Sequence, residues 1–144
     1  MRAAPLVLAL ALAAAGAAGC NEFHYYDITL SFNGDSTAAQ GFKTGEIGNI
    51  QVCVVTVSGA DSGSLRIGPH QQGLPVMVGS LVGTFEYSTF ADSGTLTFTV
   101  DAYDATSTTP DCKVGSGSVN IMATSTTTNT GMVVVNRTAD FTCL

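Results

Sequence analysis

Residues 95–102, Thr-Leu-Thr-Phe-Thr-Val-Asp-Ala, carry the clearest structural pattern in this sequence. Four apolar residues alternate with polar ones along the segment: Leu96, Phe98, Val100 and Ala102. Successive side chains of a β-strand point to opposite faces of the sheet, so this alternation predicts a strand with one buried and one solvated face. Asp92-Ser93-Gly94, directly before it, is a turn signal.

Similar short segments lie on both sides of this strand. Towards the N-terminus, residues 26–32 alternate in the same way, and the continuously apolar run 50–57 predicts a central strand covered on both faces. Further strands are predicted over 65–67, 76–82, 84–90, about 117–123 and 132–136. No segment has a sustained helical period. About seven or eight short strands separated by turn signals predict an all-β protein, an antiparallel β-sandwich.

The order of residues around the central strand also resembles a known family. Residues 92–104 read Asp-Ser-Gly-x-Leu-x-Phe-x-Val-x-Ala-x-Asp, which resembles the late strands of bacterial Ig-like and related Greek-key domains. Cys112-x-x-Gly115-x-Gly117-x-Val119 and the Thr-rich turn before 132–135 resemble the C-terminal parts of small bacterial lipoproteins. The resemblance covers residues 84–143 and implies an Ig-like sandwich, although the chain has no Trp. Such a fold hosts many functions.

The first twenty residues have the organisation of an export signal. Arg2 is followed by an uncharged, Leu- and Ala-rich run over residues 6–15, which predicts a secretory signal peptide over residues 1–19. Ala17-Ala18-Gly19-Cys20 resembles the bacterial lipobox, with Ala17 where Leu is commonest. The resemblance implies lipidation of Cys20, a lipid anchor and short tether over 20–23, and a sandwich domain over 24–144. The alternative is plain secretion, in which Cys20 is unmodified.

The charge pattern limits the kinds of partner. The chain has a net charge of −6, and loss of Arg2 with the signal peptide leaves −7. The remaining strong cations, Lys43, Arg66, Lys113 and Arg137, are scattered along the sequence. A nucleic-acid partner requires a basic stripe, so we expect none. No second apolar run is long enough to span a bilayer.

Cysteine counting predicts one disulfide. If Cys20 is lipidated, Cys53, Cys112 and Cys143 remain, and an odd number outside the cytoplasm favours one disulfide and one buried thiol. Cys53 lies in the most apolar strand and is expected in the core. We therefore prefer Cys112–Cys143, with Cys53–Cys143 as the main alternative. If Cys20 is not lipidated, the four cysteines would instead allow two disulfides.

Few residues suggest catalysis or metal binding. The two histidines, His24 and His70, lack the spacing of a metal site, and the sequence contains none of the common nucleophile, zinc or phosphate-binding motifs. Neither a catalytic residue nor a cofactor is predicted. A calcium site formed by Asp101, Asp104 and Asp111 is a weaker alternative, because these residues surround one loop end.

Aromatic residues suggest two further kinds of surface. Phe23, Tyr25 and Tyr26 follow the anchor; they are expected either to rest at lipid headgroups or, with Tyr26 in the core, to lie on strand faces. An exposed platform formed by Tyr87, Phe90 or Tyr103 would indicate a carbohydrate-binding module.

Location and fold together favour a non-enzymatic module. We expect an envelope lipoprotein, held on the lipid bilayer through acylated Cys20, that binds an unidentified protein or glycan partner. Asn21 after the lipid site resembles routing to the outer membrane. The alternatives are a calcium-assisted carbohydrate-binding module and, less favoured, a small secreted hydrolase.

Overall fold

A computed structural model describes residues 22–68, 82–125 and 128–143 of the chain. The protein is all-β, and two one-turn 3₁₀ helices are the helical elements of these residues. The strands are β1 (His24–Phe32), β2 (Val52–Gly59), β3 (Gly63–Ile67), β4 (Val82–Thr89), β5 (Thr95–Tyr103), β6 (Lys113–Met122) and β7 (Thr128–Arg137). Most of the predicted 76–82 strand and His70 lie outside the described residues.

Alternating side chains form the strands, as the sequence predicted. The four apolar residues of β5 are completely buried, whereas the threonines between them face outwards. In β1 every second residue, from His24 to Phe32, is buried. β2 differs from the prediction because one face is buried along the strand, whereas the other is buried only at Val52 and is exposed at Thr56. Each strand therefore contributes one apolar face to a single core.

The strands form one mixed sheet in the order β3-β2-β5-β6-β7-β1-β4. All neighbouring pairs are antiparallel except β1 and β7, which run parallel. The sheet curls into a half-barrel around the core, so the predicted arrangement of two packed antiparallel sheets is not confirmed. Alternation specifies which face of a strand is buried, but it does not specify whether a second sheet or the curl of the same sheet covers that face.

A cluster of aromatic rings lies at the centre of the core. The Phe98 ring lies 6.2 Å from that of Tyr26 and 5.5 Å from that of Tyr87, between centroids. The hydroxyl of Tyr87 donates a 2.7 Å hydrogen bond to Oδ2 of Asp61, just before β3. Burial, the Asp61 hydrogen bond and its negative charge raise the pKa of Tyr87 to about 12. Tyr87 thus links edge strand β4 to the start of the other edge strand, β3.

An ion-pair network lies at the end of the sheet where β7 ends, and it joins the loop before β2 to the C-terminal end of β7. The Arg137 guanidinium donates two hydrogen bonds to the Glu46 carboxylate, at 2.9 and 3.1 Å, and a third to Asp140. The Lys43 backbone N–H also donates to Glu46, at 2.7 Å. Burial raises the pKa of Glu46, but the hydrogen bonds from Arg137 and Lys43 and their charges outweigh it and hold this pKa below its ordinary value.

We expect Glu46→Gln to destabilise the protein by about 1–3 kcal/mol at neutral pH, because both side chains of the pair are mostly buried. Since the Glu46 pKa is depressed in the folded state, its stabilisation is complete above its unfolded value of 4.5 and is lost as the pH falls through the folded pKa. Urea unfolding of wild type and variant should therefore converge at low pH. Glu86→Gln, at an exposed position of β4, is the control and should change little at either pH. A pH-independent effect of Glu46→Gln would contradict the network.

Candidate functional site

Three exposed aromatic side chains cluster at one end of the half-barrel. Phe23, Tyr25 and Phe90 are 46%, 40% and 51% exposed. The Phe23 ring centroid lies 4.0 Å from that of Phe90 and 6.5 Å from that of Tyr25. We call these three residues the aromatic patch. Single exposed apolar residues are ordinary, but a stacked group of rings presents a continuous apolar surface to solvent.

Strand pairing assembles the aromatic patch from distant parts of the sequence. Phe23 directly precedes β1, and Phe90 directly follows β4. The antiparallel register places His24 opposite Thr89, which brings the flanking Phe23 and Phe90 together. Tyr25 lies on the outer face of β1, because its neighbours His24 and Tyr26 point into the core. The patch is therefore fixed by two paired strand ends.

The charges around the aromatic patch are negative. Glu22, Glu86 and Asp92 are exposed near these strand ends. The four cations in the described part of the chain instead lie towards the opposite end, where Lys43 and Arg137 bind Asp140, Lys113 pairs with Asp101, and Arg66 donates to the Thr106 carbonyl. An anionic ligand would gain little from this surface, whereas an apolar or zwitterionic one meets exposed rings.

The predicted carbohydrate platform is not assembled. Tyr103 is only 8% exposed, and the half-buried Tyr87 ring packs edge-on against Phe98. Phe90 alone of the three is well exposed, and its ring stacks on Phe23. Tyr103 is buried outside the core cluster: it pairs with Val52 of β2 and lies on the same face of β5 as Asp101.

Of the three candidate calcium ligands, Asp101 and Asp104 have carboxylates that bind different partners, and Asp111 makes its contact through the backbone. Asp101 accepts a hydrogen bond from Ser116 and pairs with Lys113. Asp104 is 1% exposed, and its Oδ2 accepts backbone N–H bonds from Thr142 and Cys143. The Asp111 carbonyl accepts from the Thr142 hydroxyl. These contacts hold the C-terminal tail against the sheet.

The structure joins Cys112 to Cys143, which is the disulfide preferred from the sequence. Their Cα atoms are 5.5 Å apart. Cys53 is a free thiol in the core, and burial raises its pKa to about 12, so it is unreactive at neutral pH. Cys20 lies outside the described residues.

His24 is the histidine within the described residues, and it is 6% exposed at the start of β1. Its Nδ1 has no hydrogen-bond partner among those residues. His24 lies on the same face of β1 as the buried Tyr26 and Ile28.

No family model, curated protein or solved structure matches this chain. In the described ranges, no helix is long and apolar enough to cross a membrane. Function must therefore be inferred from the residues of the chain itself.

Proposed function

We propose that this protein is a bacterial envelope lipoprotein, a non-enzymatic module whose Cys20 carries acyl chains and whose aromatic patch rests on the bilayer. One observation supports this most strongly: an exposed group of neighbouring aromatic rings begins only three residues after the lipobox cysteine. Asn21 at the next position favours the outer membrane. On this surface the protein serves as a binding or structural module for a protein or glycan partner.

The short tether places the aromatic patch at the membrane surface. Three residues span at most about 10 Å when fully extended. Amphipathic elements sit about 5–10 Å into the boundary between headgroups and acyl chains. An acylated Cys20 therefore leaves Phe23 within reach of the headgroups, and Tyr and other aromatic rings are favoured at that depth.

The distribution of charge supports a neutral lipid surface. The end carrying the patch has exposed carboxylates, and the cations lie towards the other end. Contact with the bilayer would then gain from apolar burial and not from attraction to anionic lipids. Two or more acyl chains already hold the domain almost permanently, so the patch sets its orientation rather than its affinity.

The first test is intact mass spectrometry of the protein isolated from native membranes. We expect a mature chain that starts at Cys20 and carries acyl mass, one disulfide and one free thiol. Cys20→Ala should move the protein from the membrane to the soluble fraction. A soluble wild-type chain without acyl mass would overturn the proposal and favour plain secretion.

A second test measures orientation, and it exploits the absence of Trp from the sequence. Phe90→Trp creates a single fluorophore in the aromatic patch, and Thr108→Trp is the matched control in an exposed loop at the opposite end. On phosphatidylcholine vesicles, the acylated Phe90→Trp protein should show blue-shifted emission that brominated lipids quench. The Thr108→Trp protein should show neither effect. Equal emission from both would place the patch away from the lipid.

The carbohydrate-binding alternative keeps one of its three predicted rings at the surface, Phe90. Retention of the wild-type protein on a glycan column, and its loss in Phe90→Ala, would favour that alternative over the bilayer contact.

An Ig-like relationship remains part of the proposal for the fold. Seven strands and a succession of antiparallel neighbours support it. The parallel β1–β7 pair within one continuous curled sheet is the feature that differs from two packed antiparallel sheets.

A further inference from the structure

A buried carboxylate, that of Asp104, lies beside the disulfide at the end of the sheet opposite to the aromatic patch. A carboxylate oxygen of Asp104 and the Sγ atoms of Cys112 and Cys143 all lie within 4.8 Å of one another. Asp104 is 1% exposed and Cys112 is 6% exposed, whereas Cys143 is partly open to solvent. Carboxylate oxygen and cysteine sulfur are both common ligands of Zn²⁺.

The two oxygens of Asp104 have different environments. Oδ2 accepts the backbone N–H groups of Thr142, at 2.7 Å, and Cys143, at 3.0 Å. Oδ1 is buried and has no hydrogen-bond partner among the described residues. A buried carboxylate oxygen without a partner is costly, because it loses its water without replacement. One oxygen of Asp104 is thus fixed by the backbone, and the other is available.

We propose that reduction of the Cys112–Cys143 disulfide creates a site for a thiophilic divalent cation, Zn²⁺, with the two thiolates and Oδ1 of Asp104 as ligands. Reduction by a dithiol breaks the S–S bond: two electrons and two protons pass to the two sulfurs, and the dithiol becomes a disulfide. Zn²⁺ then displaces both thiol protons and accepts an electron pair from each of its three ligands.

Contacts other than the S–S bond keep the ligands close after reduction. The Asp104 N–H donates to the Cys112 carbonyl at 3.1 Å, and Oδ2 of Asp104 accepts the successive backbone N–H groups of Thr142 and Cys143. The Thr138 N–H also donates to the Val114 carbonyl at 2.8 Å. This bond holds the start of the C-terminal tail against β6. Backbone hydrogen bonds to a ligating carboxylate orient it towards the metal.

The donor set favours Zn²⁺ over Ca²⁺. Two thiolates are soft ligands that select zinc, whereas Ca²⁺ takes six to eight oxygens. Three protein ligands leave the fourth tetrahedral position to water, which can enter beside the partly exposed Cys143. The site would be closed to metal in the oxidised protein, because disulfide sulfurs carry no negative charge. Binding is therefore controlled by the redox state and is independent of lipidation.

The test uses the full chain with Cys20→Ser in every sample, so that the buried Cys53 is the single cysteine outside the proposed site. Protein is reduced with dithiothreitol, freed from it by anaerobic gel filtration and titrated with Co²⁺, then with Zn²⁺. We expect one Co²⁺ per reduced chain, with thiolate charge-transfer and tetrahedral d–d absorption that Zn²⁺ abolishes. The oxidised chain should give neither band. Zn²⁺ should also raise the melting temperature of the reduced chain but not that of the oxidised chain.

Matched variants separate the proposed ligands from neighbouring groups. Asp104→Asn should weaken Co²⁺ binding by at least about 10-fold, whereas Asp101→Asn, which removes a nearby carboxylate outside the site, should leave it unchanged. Cys112→Ser with Cys143→Ser should abolish the charge-transfer band. If Asp104→Asn does not fold, as judged by circular dichroism, Asp104→Glu replaces it and should shift the d–d bands. A reduced wild-type chain without these bands, or Asp104 variants that bind like wild type, would overturn the proposal.

Discussion

Phe98→Ala is expected to lower the free energy of unfolding by about 3–5 kcal/mol, the range for removing a buried phenylalanine. Phe98 is completely buried and contacts the rings of Tyr26 and Tyr87. The change removes both ring pairs, each worth about 0.5–1.5 kcal/mol beyond burial, and leaves a cavity inside the curl of the sheet. It also loosens Tyr87, whose hydroxyl binds Asp61 between the edge strands.

Urea unfolding followed by circular dichroism measures this effect. Met122→Ala is the control: Met122 is 67% exposed, so its truncation should change the free energy by less than about 0.5 kcal/mol. If Phe98→Ala does not fold, Phe98→Leu, which keeps much of the volume, should show a smaller loss in the same direction. A loss below about 1 kcal/mol for Phe98→Ala would mean that Phe98 is not the centre of the core.

The sequence could predict the strands because alternation is a local property. In β5, Leu96 and Phe98 lie on the buried face as their spacing requires. Tyr103 could not be placed in this way: alternation puts it on the outer face of β5, yet it is only 8% exposed there and lies outside the core cluster. Val114 of β6 could not be placed either, because the register shift opposite Ala102 and Tyr103 leaves it as an extra residue. A bulge depends on the partner strand, and one sequence does not reveal that partner.

Long-range pairing limited the prediction of the sheet. The parallel contact of β1 with β7 joins segments that are about a hundred residues apart, and no turn between them signals it. The curl of the sheet likewise comes from packing of all seven strands around one core. The sequence therefore predicted the number of strands and the all-β class, but it did not predict the half-barrel.

The sequence predicted part of the aromatic patch. Phe23 and Tyr25 follow the predicted anchor closely, and alternation separates Tyr25 from the buried Tyr26. Phe90 was considered only as part of a sugar platform, because its contact with Phe23 depends on the β1–β4 register. The same limit applies to Asp104: its position beside Cys112 and Cys143 joins two distant segments.

Loss of the Cys112–Cys143 disulfide is expected to lower the free energy of unfolding by about 3–4 kcal/mol. The bond closes a loop with a sequence separation of 31, and the chain-entropy model gives about 3.7 kcal/mol for that length. The effect arises mainly in the unfolded chain, which gains freedom once the bond is absent. The folded state changes less, because Asp104 still binds the Thr142 and Cys143 N–H groups.

The measurement compares urea unfolding of the wild type, with and without reductant, and of the Cys112→Ser, Cys143→Ser double variant. Reduction should lower the stability of the wild type and increase the dependence of its free energy on urea, since the unfolded chain exposes more surface. The double variant should already show the lower stability and should not respond to reductant, because its remaining core cysteine, Cys53, forms no disulfide. A double variant as stable as oxidised wild type would mean that the tail contacts of Asp104, and not the covalent bond, hold the C-terminus. A variant that still responds to reductant would instead point to a disulfide involving Cys53.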